Sequence, residues 1–243
     1  MRNWESEKEK RVAFIKNMLA ATGAKGIVFG NSGGKDSALV AALCSFATEN
    51  LLGVIMPCAS KRNFGEDKQD GLAVAEKYGV ETLVVDLTTV RSDLIAAIGT
   101  PLESKGALSN IAPRLRMTTL YAIGAERGYL VAGTGNKSER YMGYFTKWGD
   151  GACDFNPIAD LCATEVFDFL RYLGAPDHVV TKAPSAGLFE GQTDEMEMGV
   201  TYAEIDAFLR GEPVSDEAKA IIERYHKTSL HKMVLPPIYK EGE

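Results

Sequence analysis

The chain has 243 residues, 45% hydrophobic and 25% charged, with a formal net charge of −6. Those proportions suit a soluble globular protein of one or two domains, and the acidic balance argues against a large nucleic-acid footprint, which needs a basic face. The longest apolar stretches, such as Ala38 to Cys44, are too short to cross a bilayer, and the charged opening MRNWESEKEKR lacks a signal peptide's apolar run. No membrane partner and a cytoplasmic location are therefore expected. Cys44, Cys58, Cys153 and Cys162 form no C-x-x-C pair and read as packing residues.

In chain order, Glu5 to Ala21 carries apolar residues at Val12, Phe14, Ile15, Met18 and Leu19, a helical spacing. GIVFG (26–30) is a short apolar run bounded by glycines, as a buried parallel strand would be. After NSGGKDS, the segment ALVAALCSFATE reads as a helix, LLGVIMP (51–57) as a strand and GLAVAEKYG (71–79) as a helix with a glycine stop. VETLVVDL (80–87) is a third strand. IAPRLRMTTLYAIGAERG is a long helix with Pro113 near its start, and YLVAGT (129–134) is a fourth strand. From Phe155 onward TEVFDFLRYLG, TYAEIDAFLRG and SDEAKAIIERYHK all show helical periodicity. The alternation predicts an α/β fold: one domain over 1–243, a twisted parallel sheet with helices on both faces, and a helical C-terminal third. Right-handed crossovers then gather the strand C-terminal ends on one edge, where ligands bind in such sheets.

FGNSGGKDS (29–37) joins the first strand to the next helix. Gly33 and Gly34 permit positive φ and close backbone approach, and free N–H groups at a helix start form an anion site. Ser32 and Ser37 add hydroxyl donors. Asp36 would repel a bare phosphate, and makes sense if it holds a divalent cation that bridges to the phosphates. The other reading of the string is a glycine turn with an Asp/Ser helix cap. It lacks the G-x-x-x-x-G-K-[ST] spacing of a Walker A loop.

S-G-G-x-D-S resembles the signature loop of the ATP pyrophosphatases, which cleave ATP between its α and β phosphates. The later strings GTGNKSE (133–139), YFTKWGDG (144–151), DFNP (154–157), KAPSAGL (182–188), GQTDE (191–195) and HKM (231–233) resemble, in order and spacing, the bacterial NAD synthetases from Gly30 through Lys232. The resemblance implies an adenine nucleotide α-hydrolase-like fold, with an ATP pyrophosphatase core over about 24–140 and a substrate, lid and helical part over about 141–243. It also implies ATP as co-substrate, with Gly30, Asn31, Ser32, Gly33, Gly34, Lys35, Asp36 and Ser37 cradling the phosphates and Thr134 and Ser185 beside the nucleotide. Mg²⁺ would be held by Asp36 and Glu139. Arg114, Lys147, Asp154, His231 and Lys232 match positions that contact deamido-NAD, and Asp36, Lys147 and Asp154 are the candidate catalytic residues. Taken alone, Glu139, Arg114 and Arg116 would pass for solvated helix charges, His231 for a structural histidine, and Tyr144, Phe145 and Trp148 for either core or a stacking surface.

The activity so implied is amidation of deamido-NAD through an acyl-adenylate that ammonia resolves. No Ser/His/Asp or Cys/His group suggests a protein nucleophile. Only about 25 residues precede the first strand, so ammonia rather than glutamine is expected as the nitrogen source. GTGNKSE and GQTDE lean toward the glutamine-dependent branch, which leaves room for a separately encoded glutaminase. The family is dimeric, which implies a homodimer. The segments 185–199 and 59–68 read as a mobile lid and a second flexible loop. Two departures stand out: Ala163 in LCATEV occupies a place usually held by a lysine, for which Lys35 or Lys182 could substitute, and Met233 stands where an arginine often follows the His-Lys pair. Ala163 keeps open a degenerate ATP-binding form of low activity; another amidating ATP pyrophosphatase, such as a GMP synthetase-like enzyme, is the other alternative.

Overall fold

The computed structural model describes residues 2–182 and 194–239. Strands β1 (Gly26–Gly30), β2 (Leu51–Ile55), β3 (Glu81–Val84) and β4 (Tyr129–Ala132) form a parallel sheet in the order β3-β2-β1-β4. Ile27 lies in register with Leu51 on one side and Leu130 on the other. The chain moves outward from β1 to β3 and then crosses back to add β4 beside β1. That reversal opens a crevice at the C-terminal end of β1, where the loops after β1 and β4 diverge.

The helices are α1 (Trp4–Thr22), α2 (Lys35–Ser45), α3 (Lys61–Phe64), α4 (Glu66–Tyr78), α5 (Thr88–Ile98), α6 (Lys105–Ser109), α7 (Ile111–Arg127), α8 (Lys137–Met142), α9 (Ala163–Tyr172), α10 (Asp177–Thr181), α11 (Asp194–Met198), α12 (Tyr202–Leu209) and α13 (Asp216–Ser229), with a closing 3-10 turn at Leu230–Lys232. Strand alternation divides β1 between two cores. Ile27 and Phe29 pack with Ile15 of α1, Leu39 and Leu43 of α2, and Phe169 and Leu170 of α9. Val28 joins Leu52, Val54 and Val131 on the opposite face against Met117 and Leu120 of α7. A third cluster, with Met142, Ala163, Tyr202, Ile205 and Ile222, fastens the C-terminal helices to one another and to α8.

The expected elements are present, with shifts at their ends. Helix α2 begins at Lys35 inside the glycine loop, and α4 begins at Glu66, five residues before the apolar run that announced it. The 59–68 segment, expected to be a flexible loop, instead carries α3 and the first turn of α4. Its polarity misled because these turns bury little: of α3 only Asn63 is buried. Helix α5 also escaped the sequence pattern. Its apolar residues Val90, Leu94 and Ile98 repeat every four positions but lie 48%, 41% and 43% exposed, so no core-facing stripe marks it. Among the described residues no helix is long and apolar enough to cross a membrane.

Phe169 is fully buried and stacks on Trp4 with ring centroids 4.9 Å apart, tying α9 to α1. Phe169→Ala should cost about 3–5 kcal/mol in chemical denaturation, the usual range for deleting a core aromatic; a loss below about 1 kcal/mol would show that α9 is not part of the main core.

Candidate active site

The glycine loop is set by its contacts with α4. Gly33 has φ +74°. A Cβ at this position would strike the Asp67 carbonyl and come within 2.8 Å of the Asp70 Cβ, so both conformation and space require glycine. Buried Asn31 fixes the loop's other edge, its Nδ2 donating to the Gly71 carbonyl at 2.8 Å. The loop therefore arrives at Gly34 already aimed. Gly34 is the N-cap of α2, and no side chain caps that first turn. The Asp/Ser cap reading is thereby set aside: the positive end of α2 faces open space, which is how a helix receives an anion. Ser32 and Ser37 sit together, Oγ to Oγ 3.1 Å, and the Ser37 hydroxyl donates to the Gly34 carbonyl at 3.0 Å.

Behind the loop lies a buried charge cluster. Lys35 is only 5% exposed. Its ammonium pairs with Asp36, stands 3.8 Å from Glu139 Oε1, and lies over the rings of Tyr202 and Phe167 at 5.3 and 5.7 Å. Burial by itself pulls the ammonium's pKa down, but Asp36 and Glu139 hold it above the ordinary lysine value. Burial pushes the Glu139 carboxyl well above its usual range; the charge of Asp36 adds to this and Lys35 opposes it. Asn136 connects the two carboxylates. Its Nδ2 donates to Asp36 Oδ1 at 3.0 Å, while its Oδ1 accepts from the Glu139 amide and its own amide donates to Glu139 Oε2 at 3.1 Å, the capping box that starts α8.

Lys35, Asp36 and Glu139 line a cavity of about 580 Å³ bounded by the glycine loop, the end of β2, the start of α7, Thr134 after β4, and Lys232. Of the residues singled out from the sequence, Gly30, Asn31, Ser32, Gly34, Lys35, Asp36, Ser37, Thr134, Glu139 and Lys232 meet on its wall, while Gly33 braces the loop from α4. Arg114, Lys147, Asp154 and His231 lie outside that lining. Arg114 Nε donates to the Lys147 carbonyl at 3.3 Å and Lys147 Nζ to the His231 carbonyl at 2.7 Å, so the three form one chain of contacts. Asp154 accepts from the Val131 amide at 2.8 Å and from Tyr121 Oη at 3.3 Å. Lys232 Nζ donates to the carbonyls of Gly143 and Phe145 at 2.7 and 2.8 Å. Ser185 and most of the 185–199 segment fall outside the described residues.

Ala163 is fully buried, its amide donating to Ser138 Oγ at 3.0 Å. Of the two substitutes for the expected lysine, Lys35 stands at the carboxylates of Asp36 and Glu139, whereas Lys182 is paired with Asp67, at 2.8 Å, and with Asp70 on α4. Met233 follows Lys232 in the closing turn and is partly buried. Cys153 lines the cavity, but burial pushes its thiol up, away from the thiolate a nucleophile needs.

The sequence reading missed Asn63, Arg116 and Asn136 as wall or brace residues. Asn136 was legible, since N-K-S-E has the spacing of a capping box after a strand end. Asn63 and Arg116 carried no such signal: their meeting joins residues 53 positions apart, with Arg116 Nη2 donating to Asn63 Oδ1 at 3.0 Å.

A sequence model described as NAD synthase matches residues 7–240. The chain belongs to the NAD synthase family. It is 47% identical to an NH(3)-dependent NAD(+) synthetase from Carboxydothermus hydrogenoformans, over 97% of this chain and 98% of that one. Among solved structures it is similar to an NMN synthetase from Francisella tularensis, at a TM-score of 0.93 and 36% identity over 98% and 99% of the two chains. It also resembles an NH3-dependent NAD synthetase from Campylobacter jejuni, at a TM-score of 0.80 and 29% identity over 99% and 100%.

In this member of the NAD synthase family, Gly33→Ala should lower stability by about 1–3 kcal/mol and weaken ATP binding roughly tenfold or more, because the strain and the clash with α4 both displace the loop. At Gly34 the φ is −85° and the nearest atom to an added Cβ is the Ser32 Oγ at 3.4 Å. Gly34→Ala should therefore change stability by no more than about 0.5 kcal/mol. Thermal denaturation of both variants checks the contrast, and equal losses would refute it.

Proposed function

We propose that this chain catalyses ATP-dependent amidation of deamido-NAD with ammonia. The observation that carries the reading is the uncapped start of α2 opening into the same cavity as the carboxylates Asp36 and Glu139 and the cations Lys35 and Lys232. A carboxylate oxygen is a poor leaving group, so amide formation needs activation. The substrate carboxylate attacks the α-phosphorus of ATP; a P–O bond to it forms as the bond to the β,γ-pyrophosphate breaks, leaving an acyl-adenylate. Ammonia adds to the acyl carbon and loses a proton to solvent, and the C–O bond to AMP breaks with its electron pair leaving on AMP. No protein nucleophile takes part. The chain's work is positioning and charge compensation.

In that work the amides at the start of α2 receive phosphate oxygens, Ser32 and Ser37 donate hydroxyls, and Lys35 offsets negative charge beside the loop. Among the described residues no cluster of three or more His, Cys, Asp and Glu could by itself hold a metal. Two carboxylates, one of them oriented by the Asn136 Nδ2, do suit a hard cation that keeps water and phosphate ligands, so Asp36 and Glu139 fit Mg²⁺. When bound, the ion would neutralise the departing pyrophosphate. Arg114, Lys147, Asp154 and His231 lie on an exterior surface, and we assign them with Lys232 to the dinucleotide. A separate glutaminase could feed the same chemistry with ammonia.

The fit to the NMN synthetase supports a second reading in which the acid substrate is the mononucleotide rather than the dinucleotide. Parallel assays with ATP, Mg²⁺, ammonium and either nicotinate mononucleotide or deamido-NAD decide between them through kcat/KM. The main reading expects the dinucleotide to be preferred, with AMP and pyrophosphate released one for one with the amide. Turnover with the mononucleotide alone would establish the second reading, and ATP binding without any pyrophosphate release would defeat both. Asp36→Asn should lower kcat by about 10²–10³-fold if its charge acts on the transferring phosphates.

We also propose a homodimer. Val90, Leu94 and Ile98 on α5 and Leu83 and Val84 on the edge strand β3 are all more than a third exposed, an apolar surface a second copy would cover. Light scattering at micromolar concentration should give twice the chain mass, and Leu94→Glu should shift it toward the monomer; a wild-type monomer would refute the proposal.

A further inference from the structure

Arg116 occupies an unusual electrostatic position. It projects from the first half of α7, where its Nε donates to the Met56 carbonyl and its Nη2 to Asn63 Oδ1, both at 3.0 Å. Both acceptors are neutral. Arg2, Arg11, Arg62, Arg127, Arg171 and Arg210 each have a carboxylate within 4 Å, whereas Arg116, like Arg91, Arg114, Arg140 and Arg224, has none among the described residues. The nearby carboxylates are engaged elsewhere. Asp67 accepts from Lys182, Arg62 and Asn63, and Asp150 accepts from the Thr146 amide at 3.0 Å. Burial draws the Arg116 pKa downward; Asp150 and Asp67 offset this in part from a distance, but neither pairs with the guanidinium.

The surface that Arg116 retains faces the main cavity, and also a small side pocket of about 90 Å³ shared with Cys58, Asn63 and Arg91. Lys232 repeats the pattern. It too lines the main cavity, is held by two backbone carbonyls with no carboxylate within 4 Å among the described residues, and has its pKa lowered by burial. Two cations whose hydrogen-bond partners among the described residues are neutral therefore face one cavity. A guanidinium oriented by two of its donors keeps the rest of its fork for a planar or tetrahedral anion.

We infer that Arg116 is a ligand-binding residue whose guanidinium, aimed by the Met56 carbonyl and the Asn63 amide, receives an anionic oxygen group, phosphate or carboxylate, of a molecule in the main cavity. The inference rests on the reading of that cavity as the reaction chamber. The group comes either from ATP or from the acid substrate, and binding measured with each ligand alone separates the sources. Asn63 is the positioning residue.

The test is calorimetric titration of wild type, Arg116→Lys, Arg116→Gln and Asn63→Ala, once with Mg²⁺ and ATP, once with deamido-NAD. Arg116→Gln should weaken one of the two ligands tenfold or more and leave the other within twofold, and the weakened ligand is the one whose anion Arg116 holds. Arg116→Lys should recover only part of the loss, because a point charge replaces a fork, and Asn63→Ala should weaken the same ligand by a smaller factor. Folded Arg116→Gln with both dissociation constants within twofold of wild type would overturn the inference while leaving the functional reading intact. Wild type that binds neither ligand would remove both. Should Arg116→Gln fail to fold, phenylglyoxal labelling of the wild type provides the readout: modification at Arg116, followed by mass spectrometry, must slow at least tenfold when one of the ligands saturates. An unchanged labelling rate under both ligands overturns the inference.

Discussion

The ammonium of Lys35, set between the carboxylates of Asp36 and Glu139, is the contact on which the site depends. A glycine loop meant for phosphates gathers donors and positive dipole, yet this one is followed by an aspartate and faces a glutamate from another helix. Left alone, two carboxylates in so dry a place would repel each other and shift toward their neutral forms. Lys35 opposes that shift and links α2 to Glu139 of α8. Asn136 reinforces the join by bonding Asp36 while starting α8 with its capping box. The same charges suit the proposed chemistry: carboxylates fit for a hard cation, and a lysine and a helix start fit for phosphate oxygens.

The fold follows from the distribution of apolar residues. β1 is short, but its alternation sends Ile27 and Phe29 to one core and Val28 to the other, so helices must cover both faces. That much was legible, because runs such as GIVFG and LLGVI have no solvent face. What was not legible shares one physical reason. Helix α5 and the turns at 61–64 form without burying an apolar stripe, so nothing in their periodicity distinguishes them from loop. The start of α4 was likewise hidden, since Glu66 to Asp70 face solvent, the glycine loop and Lys182 rather than the core.

The candidate site divides along similar lines. Residues joined by local sequence, from Gly30 to Ser37 and from Asn136 to Glu139, could be read because turn and cap chemistry operate over three or four positions. The braces could not. Gly33 needs its conformation because of Asp67 and Asp70, and Arg116 takes its orientation from Met56 and Asn63, contacts that exist only after the sheet has brought distant segments together. Position also reassigned emphasis among the cations. Arg116, which in sequence looks like any exposed helix arginine, faces the cavity, while its neighbour Arg114, two residues earlier, lies on the exterior beside Lys147.

The account stands on a triphosphate seated at the start of α2. A crystal structure with a non-hydrolysable ATP analogue and Mg²⁺ examines this most directly. It should show phosphate oxygens on the amides that follow Gly33 and the metal between Asp36 and Glu139, with the Lys35 ammonium drawn toward the phosphates. A triphosphate bound elsewhere in the cavity, with the loop bare and Lys35 still clasped by both carboxylates, would contradict it.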